Sequence, residues 1–298
     1  MSDQIHKYVS SCMQYQEDEV LSAFANAIRN EYKDSVIAII FYGSCMRTRE
    51  YKDAILDFYV VVDRYKTAYS SLWYRLANAV LPPNVFYLQV EIDSEVYRSK
   101  YAVISQSALL KEVSKKAFHP YFWARFTQPF TYIYVRDTKV EIWIADVQST
   151  AIKTFFRNVA CTLDCEYDSK QFWVQGFQLT YESELRTESK DRAGSIYQDN
   201  AKYYDEVFKL IASKDIPSKN KQLKCKFNWK LRIALGKVLS VIRLAKATTT
   251  FTNGVDYIAW KIERHTGEKV EVTNRLRKYP WIFSWPILCK LIRSKSVR

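Results

Sequence analysis

The sequence predicts an α+β protein: a sheet-bearing N-terminal part, a helical second part and a basic tail. Three observations carry this. Apolar, β-rich runs of strand length crowd the first half, at 36–41, 55–62, 85–92, 97–105, 130–135 and 139–144. Beyond about residue 145, apolar residues recur mostly at helical spacing. The charge is also uneven: of a net +13, residues 221–298 hold 18 Lys/Arg against 4 Asp/Glu, and the rest holds 27 against 28. Regions of 1–144, 145–215 and 216–298 result. With 48% hydrophobic residues and only 6 Gly and 7 Pro in 298, the chain is globular and long enough to bury a sizeable core.

In order, Val20, Leu21, Phe24, Ala27 and Ile28 predict a helix, with acids ahead of it where the helix dipole favours negative charge. The run from Val36 to Phe41 predicts a buried strand, Gly43-Ser44 a turn, and Ile55 to Val62 a second strand. A helix from about Tyr65 to Val80 should end at Leu81-Pro82-Pro83-Asn84. Val85 to Ile92 and Tyr97 to Ser105 predict a hairpin around Asp93-Ser94-Glu95. A helix over Ala108 to Phe118 and strands at Phe130 to Val135 and Lys139 to Ile144 complete the N-terminal part. Residues 213–220, with Pro217, read as a linker. The helix expected from Trp229 to Lys246 places Trp229, Ile233, Leu239 and Ile242 opposite Arg232 and Arg243. A turn at Asn253-Gly254 comes after it. The chain closes on Tyr279-Pro280-Trp281-Ile282-Phe283-Ser284-Trp285-Pro286 among Lys and Arg, a composition suited to a lipid headgroup interface.

The six cysteines lack a zinc-type spacing and the chain has three His, so a Cys/His metal site is not expected. They read as reduced thiols of a cytosolic protein, with Cys161 and Cys165, one helical turn apart, in the core. No targeting segment is expected at the N-terminus. No uninterrupted apolar run approaches the ~18 residues of a membrane span, so membrane contact should be peripheral.

The chemistry concentrates in Val36 to Asp63. A Gly-Ser turn lets backbone N–H groups approach a phosphate, and an acid inside the apolar run Leu56-Asp57-Phe58-Tyr59-Val60 is costly to bury without a partner. Asp57 suits Mg²⁺, Gly43 and Ser44 suit a triphosphate, and Lys100 or Arg125 suits the leaving pyrophosphate, which together read as nucleotidyl transfer. A second metal-binding acid two residues on would share the face of Asp57, but that position is Tyr59. Asp63 stands about 20 Å along the strand and should cap its end. Asp53, Glu91, Asp93 and Glu112 are the remaining candidates for a second ligand.

With these residues in view, the chain resembles the mitochondrial-type phosphatidate cytidylyltransferases, the family known for translocator assembly and maintenance. Tyr42-Gly43-Ser44 resembles the family's YGS turn, and Leu56-Asp57-Phe58 with Val62-Asp63 its LDF…VD strand. Asn84-Val85-Phe86-Tyr87 is similar to GVYY, and Lys100-Tyr101-Ala102-Val103-Ile104-Ser105 to KYGVIS. Ala124-Arg125-Phe126-Thr127-Gln128-Pro129 is similar to GRLQKP, and Leu179-Thr180-Tyr181 with Leu185-Arg186 to LSY…FR. The tail from Gly236 to Gly267 resembles the C-terminal segment of bacterial members. Cys45, Ala102 and Ala124 replace three of the family's glycines, and Gln128 a lysine.

The resemblance implies a DNA polymerase β-like nucleotidyltransferase fold with a helical second domain. The implied reaction converts CTP and phosphatidic acid to CDP-diacylglycerol and pyrophosphate, Mg²⁺-dependent, at the anionic inner face of a bacterial cell membrane. It implies Asp57, Lys100 and Arg125 as catalytic residues, Asp57 as metal ligand, and Tyr42, Gly43, Ser44, Tyr181 and Arg186 as nucleotide-binding. No nucleic-acid partner is expected on this reading. The competing readings are an RNA or DNA nucleotidyltransferase and a non-catalytic scaffold for anionic lipid.

Overall fold

A computed structural model describes residues 2–163, 167–184, 192–211, 219–250 and 273. The chain opens with helices α1 (Ser2–Cys12) and α2 (Glu19–Tyr32), the latter capped by Asp18, whose carboxylate accepts from Leu21 N. Strand β1 (Val36–Tyr42) leads through Gly43 into a short helix, α3 (Ser44–Thr48), and strand β2 (Ile55–Val62) returns antiparallel to β1. Helices α4 (Tyr65–Ala68) and α5 (Leu72–Val80) then cross to the hairpin of β3 (Asn84–Ile92) and β4 (Glu95–Ser105). Asp63 ends β2 as expected, accepting from Arg64 N and the Thr67 hydroxyl and so holding the first turn of α4. After α6 (Gln106–Val113) and α7 (Tyr121–Arg125), strand β5 (Thr131–Val135) joins the sheet. Helices α8 (Thr138–Val159), α9 (Ser169–Glu182), α10 (Arg192–Asp199), α11 (Ala201–Ile211) and α12 (Lys219–Thr250) complete the order.

The fold is α+β around a five-stranded mixed sheet, ordered β3-β4-β2-β1-β5. Of the four pairings between these strands, β2–β4 is parallel and the others are antiparallel. Both faces are covered, which is why β1 reads as an unbroken apolar run. On one face α2 presents Leu21, Phe24 and Ile28 to Phe41, Phe58 and Val60. The other face, with Ile40, Tyr59, Val61 and Ile104, belongs to a larger core that continues through Phe122, Trp123 and Phe155 to Trp173, Tyr204 and Trp229. That core crosses the expected 144/145 boundary, which falls inside α8.

Several expectations are corrected. Lys139 to Ile144 is helical: Asp137 caps α8 by accepting from Val140 N, and Val140, Ile144, Val147 and Ala151 bury one face at helical spacing. The helix expected over Tyr65 to Val80 is two, interrupted at Tyr69. Helix α6 starts earlier and ends sooner than Ala108 to Phe118. Helix α1, in a stretch for which no element was expected, buries Ile5 and Val9. Cys161 is not a reduced thiol: it is bonded to Cys225 of α12, 64 residues away, with Cα atoms 6.0 Å apart. Cys165, Arg186, the Asn253-Gly254 turn and the Tyr279 to Pro286 run lie outside the described residues.

The tail helix does not divide as expected, because Trp229 and Arg232 are buried together. Helix α12 buries Cys225, Trp229, Arg232 and Gly236, while Ile242 is exposed. Arg232 donates to Phe118 O and Asn158 Oδ1, and its guanidinium lies over the Phe118 and Trp229 rings. Arg243 donates to Pro82 O, and Lys246 to the carbonyls of Leu81 and Pro83. Arginine and lysine stems pack on apolar surface while their donors meet carbonyls, so Arg232, Arg243 and Lys246 dock on the side of Trp229, whereas Lys224, Lys226, Lys230 and Lys237 stay exposed.

Candidate functional site

The candidate site lies at the C-terminal end of β1, on the sheet face shared with the larger core. Tyr42 of β1 pairs with Asp57 of β2, and Asp57 pairs in turn with Lys100 of β4. Because side chains alternate along strands, Asp57, Tyr59 and Val61 share one face, as do Lys100, Ala102 and Ile104. The register thus brings the acid and the lysine side by side, with Lys100 Nζ 3.1 Å from Asp57 Oδ1.

Gly43 sits directly against the carboxylate. Its φ is +90, a conformation that favours glycine, and a Cβ placed there would stand 3.0 Å from Asp57 Oδ2. The turn therefore leaves backbone beside Asp57 where any side chain would intrude. Ser44 comes next, exposed, as the first residue of α3. Arg47, one helical turn beyond Gly43, donates to Gly43 O at 3.2 Å and pairs through Nε with Asp199 of α10 at 3.0 Å. The turn is tied to the helical part of the chain by this pair.

Where a second acid could have stood, Tyr59 is buried, its ring stacked on Tyr42 (4.7 Å) and packed on Phe126 (5.0 Å). Burial, with Tyr59 and Asp57 beside it, pushes the Tyr42 hydroxyl well above its usual range. Burial, and then Asp57, raises the Cys45 thiol too, so it stays neutral. Among the described residues no three His, Cys, Asp or Glu gather as a metal cluster, so none of Asp53, Glu91, Asp93 and Glu112 completes one with Asp57. Asp53 is in a left-handed turn before β2, Asp93 in the hairpin turn, Glu91 opposite Val96, and Glu112 on α6 near Arg243.

Arg125 occupies a different setting from the one expected of a phosphate ligand. Its guanidinium grips Glu184 through two 2.7 Å hydrogen bonds, donates to Tyr121 O at 2.7 Å and lies 3.8 Å from the Tyr121 ring centre. Burial opposes its charge, but Glu184 overcomes this and holds it firmly protonated. Arg243 of α12 lies over the same ring at 4.0 Å. Tyr181 stands at the end of α9, half-buried, its carbonyl accepting from Glu184 N. Sequence reasoning missed Arg47, Asp199, Tyr121 and Glu184. For Arg47 a signal existed in its spacing from Gly43; Glu184 is 59 residues from its partner, with no local pattern to reveal it.

His119 adjoins this cluster. Its Nδ1 accepts from Tyr121 N, so the ring proton is assigned to Nε2, which finds no partner among the described residues. Burial first, then Arg243 and Arg125, outweigh Glu184 and lower its pKa from 6.5 to about 4. A depressed histidine pKa means the unfolded chain takes up the proton first. Stability is therefore full above pH 6.5 and is lost as pH falls toward about 4, by up to about 1.4 kcal/mol per pH unit. Urea midpoints measured across that window should fall more steeply for the native chain than for His119→Gln; equal slopes would contradict this.

No known family profile matches the chain, and no curated protein matches it. Among solved structures it aligns with a nucleotidyltransferase-like protein from Exiguobacterium sibiricum 255-15, at 12% identity over 93% of this chain and 92% of that one. The TM-score is 0.25, too low for the likeness to bear on function.

Proposed function

We propose that the chain is a nucleotidyltransferase of the polymerase β-like fold that transfers cytidylate from CTP to phosphatidic acid at an anionic membrane surface, releasing pyrophosphate. The observation that carries the reading is the juxtaposition of Gly43, Asp57 and Lys100: open backbone, a carboxylate and an ammonium on neighbouring strands. Backbone at Gly43 and Ser44 would receive triphosphate oxygens with no Cβ at Gly43 in the way, and Lys100 would offset charge gathering on the leaving pyrophosphate. The acceptor phosphate, already an anion, attacks the α-phosphorus without needing a strong base. Arg125 contributes by holding Tyr121 and α7 against Glu184, a positioning role rather than phosphate contact. Tyr42 lines the turn beside Asp57, and Tyr181 at the end of α9 would bind the nucleotide together with Arg186.

The residues fit Mg²⁺ in a one-carboxylate form. Asp57 Oδ1 is buried with the Lys100 ammonium 3.1 Å away, so a hard cation would share the carboxylate with Lys100, its other positions taken by phosphates and water. When bound, the ion would neutralise the triphosphate and orient it for in-line attack. Radiolabelled CTP incubated with phosphatidic acid vesicles and Mg²⁺ should yield label in the lipid extract, and excess chelator should remove essentially all of it. Label passing instead to an oligonucleotide acceptor, or a rate unmoved by chelation, would overturn this assignment.

A further inference from the structure

Two exposed apolar stripes lie on helices that meet at one end. On α12, Leu223, Phe227, Leu231, Leu235, Val238 and Val241 all face solvent, Leu223 and Phe227 at 67% and 66% exposure. At about 100° per residue they occupy a band roughly 120° wide, the face opposite the one that docks. On α5, Leu72, Leu76 and Val80 repeat every fourth residue, with Trp73 beside them, and each is more than half exposed. The helices meet where Arg243 and Lys246 of α12 donate to the carbonyls of residues 81–83 that end α5. Helix α12 also packs along the sheet's edge strand, β3.

We propose that the outward faces of α5 and α12 together form a docking surface for an anionic lipid bilayer. Charge selects this occupant. In 32 residues α12 carries nine Lys/Arg and no Asp/Glu, and Lys226, Lys230 and Lys237 stand exposed along one margin of its stripe, with Lys224 exposed within it. An apolar band bordered by cations suits acyl chains beneath anionic headgroups, and a partly exposed indole such as Trp73 suits the boundary between them. Among the described residues no helix is long and apolar enough to cross a membrane, so the geometry is that of helices lying on the surface. This deepens the proposed function by naming the face turned to the lipid, yet it stands on α5 and α12 alone.

The test uses the full chain, without CTP or Mg²⁺, and vesicles of phosphatidylcholine with and without phosphatidylglycerol, an anionic lipid that is not the proposed substrate. The native chain should sediment with the phosphatidylglycerol vesicles and be released by salt. Phe227→Glu/Leu231→Glu, and separately Leu76→Glu, should each weaken binding by about ten-fold or more while leaving the melting temperature in place, because these side chains are already in water. Binding by both variants equal to the native chain would overturn the proposal and place the lipid contact elsewhere, including residues 251–298. Self-association of the native chain in the absence of lipid, abolished by the glutamates, would overturn it in favour of a second copy. Oligonucleotide binding that outcompetes vesicles and vanishes in the same variants would overturn it in favour of nucleic acid. A parallel assay with short-chain, water-soluble phosphatidic acid separates this from catalysis: transfer retained by variants that no longer bind vesicles supports the surface, and loss of transfer with docking intact affects only the catalytic reading.

Discussion

Asp57→Asn is expected to lower the rate of pyrophosphate release from CTP by about 10²–10³-fold or more, the scale on which a preorganised charge at a reacting phosphate contributes. The substitution keeps the side chain's shape and removes its charge. Its structural cost should be small: Lys100 is 43% exposed and, once unpaired, is hydrated, so at most about 1 kcal/mol of stability is at stake. A large catalytic loss with an almost unchanged urea midpoint is therefore the signature of a group that acts on substrate. If the variant released pyrophosphate at a near-native rate, Asp57 would be a structural ion-pair partner and the proposed chemistry would fail with it.

The second large effect is on stability. Arg125 and Glu184 are 16% and 11% exposed, and removing the carboxylate by Glu184→Ala leaves a buried guanidinium that keeps, among the described residues, the Tyr121 carbonyl and ring. The expected loss is about 3–5 kcal/mol, read as a shift of the urea midpoint at constant slope. Arg243, over the same ring, adds a like charge that Glu184 otherwise balances. Replacing both partners, as Arg125→Met/Glu184→Leu, should recover much of that loss, because the cost lies mainly in a buried charge left alone. A single-variant loss below about 1 kcal/mol would mean that water reaches the pair and that it does not hold α7 in place.

The sheet was readable because its strands obey local rules. Strand β2 runs over the expected Ile55 to Val62, and the hairpin turns at Asp93 and Ser94, both in the left-handed region that tight turns use. Residues 139–144 misled because Lys-Val-Glu-Ile-Trp-Ile alternates over six positions and shows its helical period only over α8's full length. Tertiary context decided α12: Arg232 and Lys246 turn inward with Trp229 because the carbonyls of Phe118, Leu81 and Pro83 await them, while its other described lysines stay in water. At the site, Gly43 and Asp57 were legible as a turn and an acid in a strand. The Arg125–Glu184 pair was not, since Glu184 comes from just beyond α9, and neither was the Cys161–Cys225 bond, which depends on where α12 lands.

The pairing of Asp57 opposite Lys100 also bears on how the sheet assembles. A slip of one residue between β2 and β4 would carry one of these groups to the opposite face, among Phe58, Tyr101 and Val103, where a lone charge has no partner. Parallel strands have no tight turn between them to dictate alignment, and β2 and β4 are joined only through α4, α5 and β3. The acid and lysine can therefore act as an assembly check, rejecting misaligned sheets before any substrate is met.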